Sequence, residues 1–152
     1  MAVDLPPATE VTVVVLFSCH CFSREPKNGE VIPVGHLVED GTEKIRMLDE
    51  VRYKLSKHYL PKLIAELSNR HIKIADSSRP NFVTFEPPTD LIPNENRPYS
   101  IFFEVVKDSK RKRRLLLRVQ SAYLLDNLTK QLKDAKKMNF PVILRRAYKG
   151  EK

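Results

Sequence analysis

Hydrophobic and polar positions alternate most clearly between Arg97 and Tyr123, RPYSIFFEVVKDSKRKRRLLLRVQSAY. Tyr99, Ile101, Phe103 and Val105 fall on one side of a first strand, and Ser100, Phe102, Glu104 and Val106 on the other. In a second strand Leu115, Leu117, Val119, Ser121 and Tyr123 share a side, opposite Leu116, Arg118, Gln120 and Ala122. The polar stretch from Asp108 to Lys112 joins them and suits an exposed turn. The pattern predicts a long hairpin with one apolar side and one mixed side carrying Glu104, Arg118 and Gln120.

The rest of the chain is arranged around that hairpin. Met1 to Ala8 contains Pro6-Pro7 and reads as a loose arm. The β-branched run Val11 to Phe17 predicts a strand inside the sheet, buried on both faces. Pro26, Asn28-Gly29 and Pro33 mark a loop from Ser23 to Val34. His36 to Met47, centred on Asp40-Gly41, predicts a small hairpin; a helix starting at Thr42 competes with it through Ile45, Leu48, Val51 and Leu55.

Asp49 suits the N-cap of a helix running to about Tyr59, and Pro61 the first turn of a second carrying Leu63, Ile64 and Leu67 on one face. Short strands follow around Ile72–Ile74 and Phe82–Phe85, then a proline-rich loop to Pro98. After the hairpin, Asp126 or Asn127 caps a helix ending near Lys137 to Asn139, and Pro141 stops it. Val142 to Tyr148 reads as a last strand, and Lys149 to Lys152 as a mobile tail. The fold class expected is a single α+β domain over 1–152: a mostly antiparallel sheet, two helices on one face, and an added C-terminal helix and strand.

Length agrees with one domain, since 152 residues at 41% hydrophobic content build one core rather than two. The net charge of +8 makes polyanions, RNA above all, or an acidic protein the expected partners. No apolar run approaches the ~20 residues of a membrane helix and none resembles a secretion signal, so no membrane partner is expected. Cys19 and Cys21 are too close to close a loop as a disulfide, which suits a cytoplasmic chain with free thiols.

Candidate chemistry sits on the mixed side of the hairpin. Glu104, Arg118 and Gln120, with His71 and Arg70 at a helix-to-strand junction, make an acid/base and phosphate-holding set. In metal-free RNA cleavage Glu104 or His71 would act as general base, while Arg118 and Arg70 hold the phosphate. The plainer alternative is that Glu104 and Arg118 form only a cross-strand ion pair. Tyr123, with Tyr99 and Phe102, has the ring chemistry to stack bases, although aromatics on strands more often pack. Lys110, Arg111, Lys112, Arg113 and Arg114 form a cationic run suited to phosphates.

Ser18-Cys19-His20-Cys21 is the other suggestive stretch. In an extended chain the cysteines point away from His20, so without a turn the three do not grip one metal. Neither a metal nor a cofactor is expected. There is no Gly-rich phosphate loop, H-E-x-x-H, G-x-S-x-G or paired C-x-x-C, and Glu104 to Lys107 misses the Glu-x-Lys spacing of metal-dependent nucleases.

From about Asp49 to Tyr123 the order of two helices, then strands ending in a Leu-Leu-Leu-Arg-Val segment, resembles RelE/ParE-type toxins and the wider barnase-like group of metal-independent ribonucleases. The resemblance implies a sheet face that cuts RNA, with Arg118, Gln120 and Tyr123 at phosphate-binding and acid/base positions, Glu104 as a carboxylate, and an acidic antitoxin-like partner. The long N-terminal part, the elements after Tyr123, and Ala122-Tyr123-Leu124-Leu125-Asp126 in place of a basic run depart from that pattern. A non-catalytic module using the same basic face for nucleic acid or protein is the alternative, and a metal or redox sensor at Cys19-His20-Cys21 a third.

Overall fold

The computed structural model describes residues 2–5, 9–39, 45–74, 81–127 and 133–150. Its main sheet has seven strands: β1 (Ala2–Leu5), β2 (Thr9–Phe17), β6 (His71–Ile74), β7 (Asn81–Phe85), β8 (Tyr99–Lys107), β9 (Arg114–Leu124) and β10 (Lys136–Asn139). Their spatial order is β1-β2-β9-β8-β7-β6-β10, antiparallel throughout except that β2 runs parallel to β9. A smaller antiparallel sheet holds β3 (Ser23–Arg24), β4 (Leu37–Glu39) and β5 (Ile45–Leu48) in the order β3-β5-β4. Among the described residues the full helices are α1 (Glu50–His58), α2 (Leu60–Ala65) and α3 (Phe140–Lys149). The architecture is α+β, as the sequence predicts.

Local signals explain most of these elements. Asp49 caps α1 by accepting the Arg52 N–H at 2.9 Å, and Pro61 lies in the first turn of α2. The β4–β5 pairing fulfils the hairpin reading of His36 to Met47 over the helical one; its turn, 40–44, lies outside the described residues. Leu55, Leu60, Leu63, Ile64 and Leu67 pack with Phe140, Ile143 and Leu144 of α3 in one core beneath Tyr99, Ile101, Phe103, Leu115, Leu117 and Val119. Each such side chain, fully buried, contributes about 1.5–3 kcal/mol, against about 0–1 for a surface ion pair. The core therefore holds the sheet, and the surface charges are free for other work.

Several expectations are corrected. Ala2–Leu5, expected in a loose arm, pairs with β2 as an edge strand, which places β2 inside the sheet. The β2 strand is buried on one face only: Val11 and Val13 are in the core, while Leu16 is 44% exposed. Val142 to Tyr148 is helical within α3. Phe140, Ile143, Leu144, Ala147 and Tyr148 keep the helical spacing of an apolar face, and Pro141 opens the helix where it was expected to end one. Lys136–Asn139, expected to end a helix, is the polar edge strand β10; the body of that expected helix, 128–132, lies outside the described residues. Of the expected tail, Lys149 is the last residue of α3 and 151–152 lie outside the described residues.

A further correction bears on the site. Phe102 pairs with Ser121 but Phe103 pairs with Val119, so Gln120 is an extra residue, a β-bulge. Beyond it the faces of β9 exchange. Ala122 is fully buried in the core, and Ser121 and Tyr123 turn to the face of Phe102. From Asp49 to Tyr123 the order is two helices and then strands β6 to β9, while β1, β2 and the small sheet precede α1 and β2 lies against β9. No helix among the described residues is long and apolar enough to cross a membrane.

Candidate nucleic-acid interface

The β8–β9 turn is braced from below. Asp108 is buried; its carboxylate accepts the Lys110 N–H at 2.9 Å and pairs with the Arg114 guanidinium. Those two contacts, the backbone N–H first, hold its carboxyl below the usual aspartate value. The Asp108 N–H donates to the Arg114 carbonyl at 3.0 Å, and the Thr12 N–H to the Arg113 carbonyl at 2.9 Å. Arg113 takes a left-handed φ of 59° to close the turn, uncommon for a side chain with a Cβ. The five-cation run is thus divided. Arg114 is neutralised, while Arg111, Lys112 and Arg113 are exposed and have no ion-pair partner among the described residues. Together with Glu10, Val11 and Thr12, the residues Arg111 to Arg114 line a hollow of about 560 Å³.

Further along β9 a second hollow, about 460 Å³, is lined by Leu16, Phe17, Ser18, His20, Glu104, Arg118, Val119 and Gln120. Glu104 and Arg118 are cross-strand partners, and Arg118 Nη1 stands 3.6 Å from Glu104 Oε1, with the two side chains 39% and 51% exposed. Gln120 enters through the bulge. His20 enters because the chain turns at the end of β2: the Ser18 N–H donates to the Val119 carbonyl at 2.9 Å, and Ser18 Oγ accepts the His20 N–H at 3.2 Å. Cys19–Cys21 then forms a 3-10 turn that sends His20 to the cleft and Cys21 to the core. Burial pushes the Cys21 thiol up to about 11, and its Sγ lies 3.7 Å from the Val119 carbonyl. Among the described residues no three His, Cys, Asp or Glu side chains are placed to share a metal ion.

The structure therefore joins Glu104, Arg118 and Gln120 but not the other candidates. His71 is exposed on β6, two strands away from β8 and on the order of 15 Å from Glu104 by strand spacing and rise. Arg70 lies over the Phe85 ring at 4.5 Å. Tyr123 stands 5.5 Å from Phe102 in a stacked arrangement, with the Arg52 guanidinium 4.8 Å from its ring centre. Phe102 also stacks on Phe82 at 5.8 Å, and Tyr99 is fully buried. Phe82, Phe102 and Tyr123 pack on one another across the sheet, while Tyr99 lies against Tyr59 in the core, the plainer of the two readings their positions allowed. His20 was the member sequence reasoning missed. Its neighbour Ser18, a good cap for a tight turn, was the available signal.

No curated protein and no solved structure matches the chain. The model of the YjaZ family matches residues 2–148, nearly its whole length. The chain belongs to the YjaZ family.

Proposed function

We propose that this chain is an RNA-directed protein that holds the phosphate backbone of a single strand on the tip of the β8–β9 hairpin. The observation that carries the reading is the tip itself: Arg111, Lys112 and Arg113 project from a turn whose one buried carboxylate, Asp108, is already committed to Arg114. Adjacent cations without an ion-pair partner gain most from replacing the counterions of a polyanion. The net charge of +8 acts in the same direction, by steering.

A second reading, metal-independent cleavage of that strand, is favoured by the cleft. Arg118 begins on the order of 13 Å along β9 from Arg114. There it would hold a phosphate, Glu104 or His20 would take the 2′-hydroxyl proton, and Gln120 would position the backbone. The half-exposed Glu104–Arg118 pair is a solvated one, which keeps cleavage second to binding. A toxin-like role with an acidic protein over the same tip is the finest form of this reading.

Incubating full-length protein with labelled RNA in EDTA separates these readings. Intact RNA that shifts with the protein at low salt supports the binding reading. RNA cut by wild type but spared by Glu104→Gln and Arg118→Ala supports cleavage. If neither shift nor cutting occurs, both fail and an acidic protein becomes the partner to seek.

A further inference from the structure

Three arginines from three separate elements meet around Ser23. Arg46 of β5, only 5% exposed, donates Nε to Ser23 Oγ and Nη2 to the Ser23 carbonyl, both at 2.8 Å. Arg52, in the first turn of α1, donates Nη1 to the same carbonyl oxygen at 2.7 Å. Arg24 is the next residue in the chain. One carbonyl oxygen thus bridges two guanidiniums, whose mutual repulsion grows as they leave water.

The nearby carboxylates are spent on Arg24, which lies 2.7 Å from Glu30 and 3.3 Å from Asp49. Among the described residues none is within ion-pair reach of Arg46 or Arg52. Burial pushes the Arg52 guanidinium down from its ordinary value; Asp49 opposes this and Arg46 adds to it.

Beside this cluster opens a pocket of about 640 Å³, within the size range of small-molecule sites. Its charged lining is Arg24, Lys27, Arg52 and Arg97 against Asp49 and Asp126, four cations to two carboxylates. Arg97 is committed to Glu95 at 2.8 Å and to Asp126 at 3.0 Å. The lining cations without an ion-pair partner among the described residues are therefore Arg52, which keeps its bond to the Ser23 carbonyl and its place over the Tyr123 ring, and Lys27. Tyr123, Leu124 and Leu125 supply an apolar wall.

We propose that this pocket binds a phosphate monoester, with Arg52 and Lys27 as its ligands and the Tyr123–Leu125 wall beside the group that carries it. A monoester brings close to two negative charges at neutral pH, one for each of the two cations without an ion-pair partner, whereas a carboxylate brings one. A guanidinium fits phosphate oxygens in pairs, and an ammonium adds a point charge. The phosphate belongs either to a small phosphorylated metabolite or to the 5′ end of a strand. The proposal stands whether or not the hairpin tip binds RNA.

Calorimetric titration of the full-length protein tests it at fixed ionic strength, with inorganic phosphate, adenosine 5′-monophosphate, and one oligoribonucleotide prepared with a 5′-phosphate and with a 5′-hydroxyl. Saturable binding of phosphate or the nucleotide is expected, weakened roughly tenfold or more by Arg52→Gln and by Lys27→Gln, and unchanged by Lys137→Gln on the far edge strand β10. Lys27 is on an exposed loop, so its variant keeps the test decisive if Arg52→Gln fails to fold. Preference for the 5′-phosphorylated strand over its 5′-hydroxyl form supports the proposal with a strand end as ligand. Nucleotide binding without that preference supports it with a small metabolite. No saturable binding of any phosphate probe, or binding unchanged in both pocket variants, overturns it.

Discussion

The molecule carries two clusters of positive charge, and they are built in opposite ways. At the hairpin tip the cations are neighbours in sequence, point into water, and are braced from below by one buried carboxylate. Around Ser23 they come from β3, β5 and α1 and are partly or wholly buried, and two of them share a carbonyl oxygen. Charges in water repel weakly and are screened by salt; charges withdrawn from it are not. The tip is therefore a surface whose affinity should follow ionic strength, and the Ser23 cluster a site whose affinity should follow geometry.

The sharpest contrast in stability is expected at Ser23 itself. Ser23→Ala removes the acceptor of Arg46 Nε and the donor to the Cys19 carbonyl, a 2.7 Å bond, and should cost about 2–3 kcal/mol. Arg111→Gln at the tip should stay within about 0.5 kcal/mol. Urea denaturation of both variants checks the pair; equal effects would erase the distinction drawn between the clusters.

Alkaline pH probes the same buried region through Cys21, which lies near Arg52. Its folded value of about 11 exceeds the unfolded one near 9, so the unfolded chain loses its proton first. Stability should fall as pH rises between about 9 and 11, by roughly 2–3 kcal/mol in total, and Cys21→Ala should flatten that decline. A thiol reagent at pH 8 should modify Cys21 only after denaturation.

Smaller effects separate buried charge from surface charge. Arg46→Met removes a buried cation from beside two others, and should change stability by less than about 1 kcal/mol or raise it. A loss of several kcal/mol would mean that Arg46 serves as an essential brace. Least of all, a double-mutant cycle on Glu104 and Arg118 should give about 0.2–1 kcal/mol of coupling in stability, since the pair is long and half-exposed.

What was readable in the sequence follows the same division between local and assembled features. The Asp49 cap, the Pro61 turn, the alternation of β8 and the interior place of β2 each depend on a few consecutive residues, and all are present. Val142 to Tyr148 is a short apolar run that fits a period of two or of 3.6, and only the packing of Phe140, Ile143 and Leu144 decides for the helix. The bulge at Gln120 leaves no mark in the sequence, yet it sends Tyr123 to the other face. Glu104 and Arg118 could be paired by strand register, whereas His20 reaches them only through a 3-10 turn. The Ser23 cluster draws on residues 24, 46 and 52, and no spacing rule joins them.

The central claim, that the hairpin tip holds RNA by its phosphates, is tested most directly by the salt dependence of binding. Fluorescence anisotropy of a labelled single-stranded oligoribonucleotide would be followed over a salt series with wild type and with Arg111, Lys112 and Arg113 all changed to Gln. Three lost phosphate contacts should reduce the slope of log affinity against log salt by about 2, and lower affinity about a hundredfold at 0.1 M salt. Parallel lines for the two proteins, or no binding by wild type at low salt, would contradict the account.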